Sequence, residues 1–246
     1  MPTERLRIMR EQGQRHSHVV GRGPGVITPD GCAVELWAAL PPGGIPVIIA
    51  PALPANARIL DLGAGAGRLT HPLTAAGHHV TAVDESAEML SRIHQAETIC
   101  STIESLRLDR KFDVVLLASH LVNVPDTTER NGLLATCRHH VAEDGVVLIQ
   151  RFTRRWVQEA SGPRYLGAGI KSETTVEPKN SAGCDLVSVV ARYSIGDQHW
   201  EQEYITRLLD DSDLSIDLNR ARLKLDRWLS EDGRWVVAKP ERSPSE

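Results

Sequence analysis

The segment ILDLGAGAGRLTHPL, from Ile59 to Leu73, joins three local patterns that occur together in one kind of fold. The apolar run around Asp61 predicts a buried strand, and the alternating glycines after it predict a tight loop. The residues beyond the loop can form a helix. In α/β proteins, a strand that passes through a glycine loop into a helix is a frequent place for a nucleotide to bind. The segment therefore raises the question of which nucleotide it holds.

Further along the chain, short apolar runs alternate with amphipathic segments. The runs are HHVTAVD (78–84), TICSTIE (98–104), FDVVLLAS (112–119) and DGVVLIQRF (144–152). Segments such as SAEMLSRIHQAE and TTERNGLLATCRHHVA lie between them and carry apolar residues at helical spacing. Strands that are apolar on both faces and alternate with helices predict a parallel sheet covered by helices on both sides.

The segments on either side of this region follow other patterns. Residues 4–15, CAVELWAAL and IPVIIAPAL predict short helices before the sheet. After Arg155, CDLVSVVARYSI (184–195) and HWEQEYITRLL (199–209) alternate apolar and polar residues around a Gly-Asp turn, which predicts an antiparallel hairpin. DDSDLSIDL predicts a helix, and LKLDRWL and RWVVAKP predict two final strands that complete the sheet.

A chain of 246 residues can bury one large core, and we expect a single domain over residues 1–246. We divide it into an N-terminal helical cap or lid (1–55), a cofactor-binding core (56–152), an antiparallel insertion (153–209), and a C-terminal helix with the final strands (210–246). The core carries the glycine loop, so the ligand should lie there.

The composition argues against several classes of partner and site. A formal net charge of -4 gives no field that would gather nucleic acid or an anionic membrane. Neither a secretory signal nor an apolar run long enough to span a bilayer is present, so we expect a cytoplasmic protein. The cysteines, Cys32, Cys100, Cys137 and Cys184, show no C-x-x-C spacing. We therefore expect buried thiols in a reducing compartment and no zinc site.

The glycine loop departs from the dinucleotide fingerprint. G-x-G-x-x-G starting at Gly63 needs a glycine at position 68, which is Arg68, and no G-K-[ST] follows to form a phosphate loop. DLGAGAG instead resembles the first motif of the class I S-adenosylmethionine-dependent methyltransferases, and the resemblance covers residues 57–152. It implies a Rossmann-like α/β fold with a mainly parallel seven-stranded sheet. It also implies S-adenosylmethionine as cofactor, S-adenosylhomocysteine as product, and no metal.

The resemblance implies a set of residues that bind the cofactor. Asp61 is expected to hold its ammonium group, and the glycines let the backbone approach it closely. Asp84 ends the next strand, where a carboxylate can accept both ribose hydroxyls, although taken alone it also fits a solvated turn. The full set is Asp61, Gly63, Ala64, Gly65, Gly67, Asp84, Glu85, Met89, Ile103, Glu104 and Ser119.

The adenine is expected between the second and third strands. Met89 follows the Ser86 cap by one helical turn and can lie against the ring. Ile103 and Glu104 close the third strand where the family usually contacts adenine, and Ser119 ends the fourth strand beneath the cofactor. Taken singly, Met89 also fits a core position and Glu104 a surface charge.

His120 is the candidate general base, because it follows the fourth strand on the acceptor side and an ordinary imidazole titrates near neutral pH. The alternatives are that its side chain caps the next helix or bonds a nearby carbonyl. Asn123, three residues later, is expected to orient the substrate or the imidazole. The adjacent pairs His78-His79 and His139-His140 are expected on the surface.

Three further residues are candidates for the acceptor site. Glu35 and Trp37 belong to an N-terminal segment that can close over the cofactor, although Trp37 equally fits the core of an amphipathic helix. Arg151 follows the fifth strand and either holds a carboxylate of the acceptor or pairs with a surface acid.

One face of the predicted hairpin carries Trp200, Gln202, Tyr204 and Thr206. This face can meet a planar acceptor, form a homodimer through the hairpin, or pack on the sheet.

The expected reaction is transfer of a methyl group to an oxygen, nitrogen or carbon nucleophile of a small-molecule acceptor, in bacterial secondary metabolism. S-H-L-V stands where relatives that act on macromolecules carry N-P-P-Y or D-P-P-Y. Two alternatives remain open: a peptide or protein acceptor, and a scaffold that binds the cofactor without catalysis.

Overall fold

The computed structural model describes residues 19–179 and 185–241. The helix expected at residues 4–15 and Cys184 lie outside the described residues. The strands are β1 (Val20–Arg22), β2 (Arg58–Leu62), β3 (His79–Asp84), β4 (Glu97–Cys100), β5 (Phe112–Leu117), β6 (Val141–Gln150), β7 (Gly162–Gly167), β8 (Ile170–Pro178), β9 (Leu186–Ile195), β10 (Gln198–Arg207), β11 (Leu223–Trp228) and β12 (Trp235–Pro240). The α-helices are α1 (Val34–Ala39), α2 (Ile45–Ile49), α3 (Thr70–Ala75), α4 (Ala87–Leu90), α5 (Thr127–His140), α6 (Arg154–Ala160) and α7 (Asp211–Arg220). None of the described helices is both long and apolar enough to cross a membrane.

A seven-stranded sheet forms the centre, in the order β11-β12-β6-β5-β2-β3-β4. The pairs β2–β3, β2–β5, β3–β4 and β5–β6 are parallel, whereas β12 runs antiparallel to β6 and β11 antiparallel to β12. The mainly parallel seven-stranded sheet and its two final strands are thereby confirmed. Because the parallel strands end at one edge, the loops after β2, β3 and β5 meet there.

Two apolar clusters cover the faces of this sheet, because successive side chains of a strand point to opposite faces. On one face Leu60 and Leu117 pack with Leu133 of α5 and Leu218 of α7. On the other face Ile59, Val114 and Leu148 pack with Ile49 of α2 and Leu73 of α3. The strands are therefore apolar on both sides, as their sequences predicted.

The antiparallel insertion is larger than the predicted hairpin. β9 and β10 form the hairpin, with Gln198 opposite Ile195, and they belong to a five-stranded antiparallel sheet in the order β1-β10-β9-β8-β7. The N-terminal segment is thus not only helical, because β1 pairs with β10. On the outer face Arg22 and Arg192 form ion pairs with Glu201, so that face is charged.

The third parallel strand is shorter than predicted. It ends at Cys100, so Ile103 and Glu104 lie in the turn that follows and do not close the strand. The hydroxyls of Thr102 and Ser105 lie 2.6 Å apart, and Ser105 donates back to the Thr102 carbonyl. Local hydroxyl bonds of this kind compete with the ladder of a sheet, which explains the early end of the strand.

Candidate active site

The loop after β2 exposes its own backbone to a ligand. Gly63 and Gly65 have φ values of +68° and +56°, a left-handed conformation that favours glycine. A Cβ at Gly65 would meet nothing within 4 Å, so this part of the loop borders open space. A Cβ at Gly63 would lie 2.5 Å from Leu121 Cδ1, so glycine permits the close approach of the segment after β5.

Asp84 holds this loop from the end of β3. Its Oδ2 accepts a hydrogen bond from the backbone N–H of Gly65 at 2.8 Å, and its Oδ1 accepts one from Ser86 at 2.9 Å. The Ser86 hydroxyl caps α4 by accepting from the N–H of Met89. The carboxylate expected at the ribose therefore also fixes the shape of the loop.

Asp61 lies on β2, directly before the loop, and is buried. Its Oδ2 accepts a hydrogen bond from Thr70 Oγ1 at 2.7 Å. Burial raises the pKa of this carboxyl to about 6, against the lowering effect of the Thr70 bond. The group is thus ionised at neutral pH but gains strongly from any cation that reaches it.

Arg68 lies between the glycine loop and the rest of the site, and in the sequence it stands out only as the residue that replaces the third glycine of the dinucleotide fingerprint. Its Nη2 donates to Ser119 Oγ at 3.3 Å, and its guanidinium lies 5.6 Å from the centre of the Trp37 ring. Burial lowers its pKa, while Tyr193 and Asp61 act in the opposite direction. The sequence did contain a sign of a functional role for Arg68, because a cation rarely follows directly after an apolar glycine loop.

Apolar side chains flank the loop where the adenine is expected. Met89 is buried against Val34 and Ala66, with Trp37 packed on the same group. Ile103 is buried, and its Cδ1 lies 3.7 Å from the position of a Cβ at Gly63. Although Ile103 and Glu104 follow the strand, the turn still brings Ile103 beside the loop.

The remaining members of the predicted cofactor set lie around the same edge. Ala64 is buried and donates from its backbone to the Val83 carbonyl at 2.9 Å, which ties the loop to β3. Glu85 follows Asp84 directly, and its carbonyl accepts from the Cys100 thiol. The aliphatic part of Glu104 lies against α5, where a Cβ at Gly132 would be 3.0 Å from Glu104 Cγ.

Two consecutive residues after β5 have backbone conformations that favour glycine. Ser119 and His120 have φ values of +54° and +60°. The N–H of Ser119 donates to Gln150 Oε1 at 2.9 Å, which holds the turn against the end of β6. Such outliers store roughly 1–3 kcal/mol each and concentrate at functional sites. The turn therefore marks this edge of the sheet as a candidate site on backbone geometry alone.

The His120 ring stacks on Phe152, with centroids 3.5 Å apart and planes at 14°. The residue precedes a short 3₁₀ helix, but its side chain makes no capping hydrogen bond. Burial, followed by the charges of Arg234 and Arg68, holds its pKa well below the ordinary value, and a hydrogen bond with the backbone of Arg151 opposes this.

Within the described residues, His120 Nδ1 is buried and has no hydrogen-bond partner. A buried ring nitrogen of a neutral imidazole can accept a proton from a ligand when the other ring nitrogen carries the hydrogen. The role of His120 as a general base stays a prediction.

Asn123 lies in the core instead of facing a substrate. Its Nδ2 donates to the carbonyls of Phe152 at 3.0 Å and Arg207 at 2.6 Å, and its Oδ1 accepts from the Phe152 N–H at 2.7 Å. Both amide N–H groups are thus used inside the protein. The geometry favours a structural role, in which Asn123 ties the end of β10 to the end of β6.

Arg151 is buried and pairs with the carboxylate of Asp211. Its Nε also donates to the Gly233 carbonyl at 2.9 Å. Arg151 and Asp211 line an open cavity of about 710 Å³ together with Trp228. This arrangement matches the alternative in which Arg151 pairs with a surface acid.

The N-terminal candidates have different surroundings. Glu35 accepts from the Val26 N–H at 3.1 Å and lies 3.5 Å from Arg92, so it fastens the N-terminal segment to α4 and the residues after it. The Trp37 ring lies 5.6 Å from the Arg68 guanidinium and packs on the cluster of Val34 and Met89, so its covering role stays a prediction.

The inward face of the five-stranded sheet closes the site from the opposite side. Trp200 is buried and its Nε1 donates to the Pro24 carbonyl at 2.9 Å, while Thr206 donates to the Asn123 carbonyl at 3.1 Å. Tyr204 packs on the cluster of Phe152, and burial raises its pKa. Because this face packs on the same chain, a homodimer through the hairpin stays a prediction.

In the described part of the chain, no group of three or more His, Cys, Asp or Glu side chains is arranged to hold a metal ion. The positive and negative groups at the loop are instead Arg68, Asp61 and Asp84. They suit an organic ligand that carries charges of both signs.

The comparisons with known proteins agree with this geometry. Residues 59–145 match the family model described as a methyltransferase domain. Over 107 residues the chain is 29% identical to the ubiquinone biosynthesis O-methyltransferase of Rhodopseudomonas palustris (strain HaA2), which covers 40% of this chain and 41% of that relative. The chain thus spans about two-fifths of the length of this curated relative.

Solved structures show the same fold over more of the chain. The CcbJ methyltransferase from Streptomyces caelestis has a TM-score of 0.66 at 20% identity and covers 83% of this chain and 92% of its own. CalS10 is an amino pentose methyltransferase from Micromonospora echinaspora that was solved with S-adenosylmethionine bound. It has a TM-score of 0.62 at 19% identity, and the match covers 85% of this chain and 92% of CalS10.

The match of residues 59–145 to a methyltransferase domain and the shared fold of the solved methyltransferases agree with the class that DLGAGAG predicted, the class I S-adenosylmethionine-dependent methyltransferases. The Rossmann-like fold is confirmed.

Proposed function

We propose that this chain transfers a methyl group from S-adenosylmethionine to an oxygen or nitrogen nucleophile of a small ring-shaped acceptor. The observation that carries the proposal is the intact glycine loop, which a hydrogen bond from Gly65 to Asp84 holds in place and which borders open space at Gly65. An O-methyltransferase and an amino pentose methyltransferase among the similar proteins support a small acceptor.

The residues at the loop suit this cofactor. Asp84 can accept the ribose hydroxyls, Asp61 can hold the ammonium group, and Met89 and Ile103 supply apolar surface for the adenine. When bound, S-adenosylmethionine supplies an electrophilic methyl group on a sulfonium. Holding the acceptor in line with that group can lower the barrier by roughly 7–11 kcal/mol, so positioning is the main task of the protein.

The acceptor would lie between this edge and the inward face of the five-stranded sheet. The stacked rings of His120 and Phe152 form one wall, and Tyr204 packs against the same cluster. Stacked aromatic walls favour a flat or ring-shaped acceptor over an extended peptide.

His120 would take up the acceptor proton at Nδ1. Because burial holds the pKa of His120 well below its ordinary value, the ring is neutral at pH 7 but a weak base. We therefore expect His120→Ala to lower kcat by about 10²-fold, which is the lower end of the range of rate contributions from general bases. The affinity for the cofactor should stay unchanged. His79→Ala, on the exposed start of β3, is the matched control. An unchanged kcat in His120→Ala would remove the base from the mechanism.

Two measurements test the proposal. Calorimetry should show that the wild type binds S-adenosylmethionine and that Asp84→Ala binds at least tenfold more weakly, because charge-assisted bonds contribute roughly 1.5–3 kcal/mol each. Mass spectrometry with trideuteromethyl-labelled cofactor and a bacterial metabolite extract should then show labelled small molecules. Label on a peptide fraction alone would favour a peptide acceptor. Cofactor binding without any transfer would favour the scaffold alternative.

A further inference from the structure

Arg68 is a half-buried cation with incomplete bonding. Its guanidinium makes one long hydrogen bond to Ser119 Oγ, at 3.3 Å, and faces the Trp37 ring. Within residues 19–179 and 185–241, no carboxylate lies within ion-pair distance of it. A guanidinium carries five N–H donors and stays protonated, so most of its donors are left for another partner.

The other large buried arginines behave differently. Arg130 Nε lies 2.7 Å from Asp217, and Arg151 pairs with Asp211. Arg68 is half-buried and has no carboxylate partner among the described residues, and withdrawing a cation from water without a partner is unfavourable, so this exception points to a ligand as its partner.

A complementary exception lies on the other side of the loop. Asp61 is buried with the Thr70 hydroxyl as its hydrogen-bond partner, and no cation of the described chain forms an ion pair with it. Arg68 and Asp61 influence each other electrostatically without forming an ion pair. A cation and an anion that lie apart beside one loop match a ligand that carries both charges. The amino-acid end of the cofactor is such a group, because it has an ammonium and a carboxylate.

We propose that Arg68 binds the α-carboxylate of S-adenosylmethionine, with Trp37 stacked on the guanidinium face and Ser119 fixing one of its edges. Trp37 covers the flat face of the group and leaves its N–H edge for the carboxylate. The inference rests on the proposed function, because it needs the cofactor to occupy the loop.

The test compares two ligands by calorimetry. S-adenosylhomocysteine carries the α-carboxylate and the ammonium, whereas its decarboxylated analogue keeps the ammonium alone. Arg68→Met should weaken S-adenosylhomocysteine binding by about 10- to 100-fold, the range for charge-assisted hydrogen bonds, and leave the analogue unchanged. The affinity of Arg68→Lys for S-adenosylhomocysteine should lie between those of the wild type and Arg68→Met, because lysine keeps the charge but cannot form two parallel hydrogen bonds to a carboxylate. Arg110→Met, a partly exposed arginine paired with Glu97, is the matched control.

Thermal unfolding supplies a readout without ligand. Arg68→Met should raise the unfolding temperature of the ligand-free protein, because it removes a half-buried charge that has no carboxylate partner among the described residues. An equal loss of affinity for both ligands would show that Arg68 shapes the loop and would overturn the inference, as would no loss for either ligand. Failure of the wild type to bind S-adenosylhomocysteine would refute the proposed function as well, which separates the two failures.

Discussion

Asp61 links the stability of the unliganded protein to its function. Its pKa is raised to about 6 by burial, above its ordinary value, so the folded protein holds this proton more tightly than the unfolded chain does. The ligand-free protein therefore becomes more stable as the pH falls through about 6, and loses that stabilisation as the pH rises. The same ionised carboxylate is the one expected to hold an ammonium group.

Asp61→Asn should separate these two effects. Asparagine keeps an acceptor for Thr70 without the buried charge, so the free energy of unfolding at pH 7.5 should rise by roughly 2 kcal/mol. Affinity for S-adenosylmethionine should fall at least tenfold. Urea denaturation between pH 4 and 8 checks the first effect, and calorimetry checks the second. A stability difference that does not shrink as the pH falls from 6 to 4 would contradict the assignment.

The residues around Asp61 also show what the sequence could predict at this scale. The glycine pattern and Asp84 were readable, because each occupies a fixed place relative to a strand end. Arg68 and the neutral state of His120 were not readable, because both depend on burial by distant segments around Trp37 and Phe152. Local spacing carries no information about such contacts.

At the scale of elements, a buried ion pair joins α5 to α7. Arg130 Nε donates to Asp217 Oδ2 at 2.7 Å, and its Nη1 donates to the Val124 carbonyl at 2.6 Å. The two helices cover one face of the seven-stranded sheet, and Leu133 and Leu218 pack in the same cluster. The pair therefore fixes how the C-terminal helix lies on the core.

Arg130→Met should destabilise the protein by about 3 kcal/mol, the lower end for a broken buried pair, because Asp217 stays buried and keeps only its ion pair with the half-exposed Arg220. The double variant Arg130→Met with Asp217→Leu should recover most of that loss, since two apolar side chains can replace a buried pair. Urea denaturation of both variants checks this. If the double variant is no more stable than Arg130→Met, packing rather than charge explains the effect.

The elements themselves were mostly predictable. The strands of the central sheet and α5 follow from periodicity, because burial on both faces or on one stripe imposes a pattern on the sequence. The extent of the antiparallel sheet was not, because β1 reaches β10 across most of the chain length, and β7 and β8 lack a clear alternation. Long-range pairing of this kind leaves no local signature.

At the scale of the whole molecule, Asn123 is the joint between the two sheets. It bonds the backbone of Phe152 after β6 and of Arg207 on β10, and its carbonyl accepts from Thr206. The joint lies three residues after His120, so the placement of the acceptor wall depends on it.

Asn123→Ala should destabilise the protein by about 2–4 kcal/mol, because it leaves buried backbone groups of Phe152 and Arg207 without partners. It should also lower the transfer rate more than it lowers cofactor affinity, because the side chain of Asn123 bonds Phe152 and Arg207 and makes no hydrogen bond to the glycine loop. Urea denaturation, calorimetry and a turnover assay check these effects. Asn219→Ala, exposed on α7, is the control. Equal losses of affinity and rate would contradict the separation.

The alternation along β10 has a practical consequence for protein engineering. Gln202 and Tyr204 point inward and Glu201 and Glu203 point outward, where both glutamates pair with Arg22. Libraries restricted to the inward positions would change the shape offered to an acceptor while keeping the charged exterior that limits aggregation. The glycine loop lies on other strands, so such libraries can be screened with the natural methyl donor.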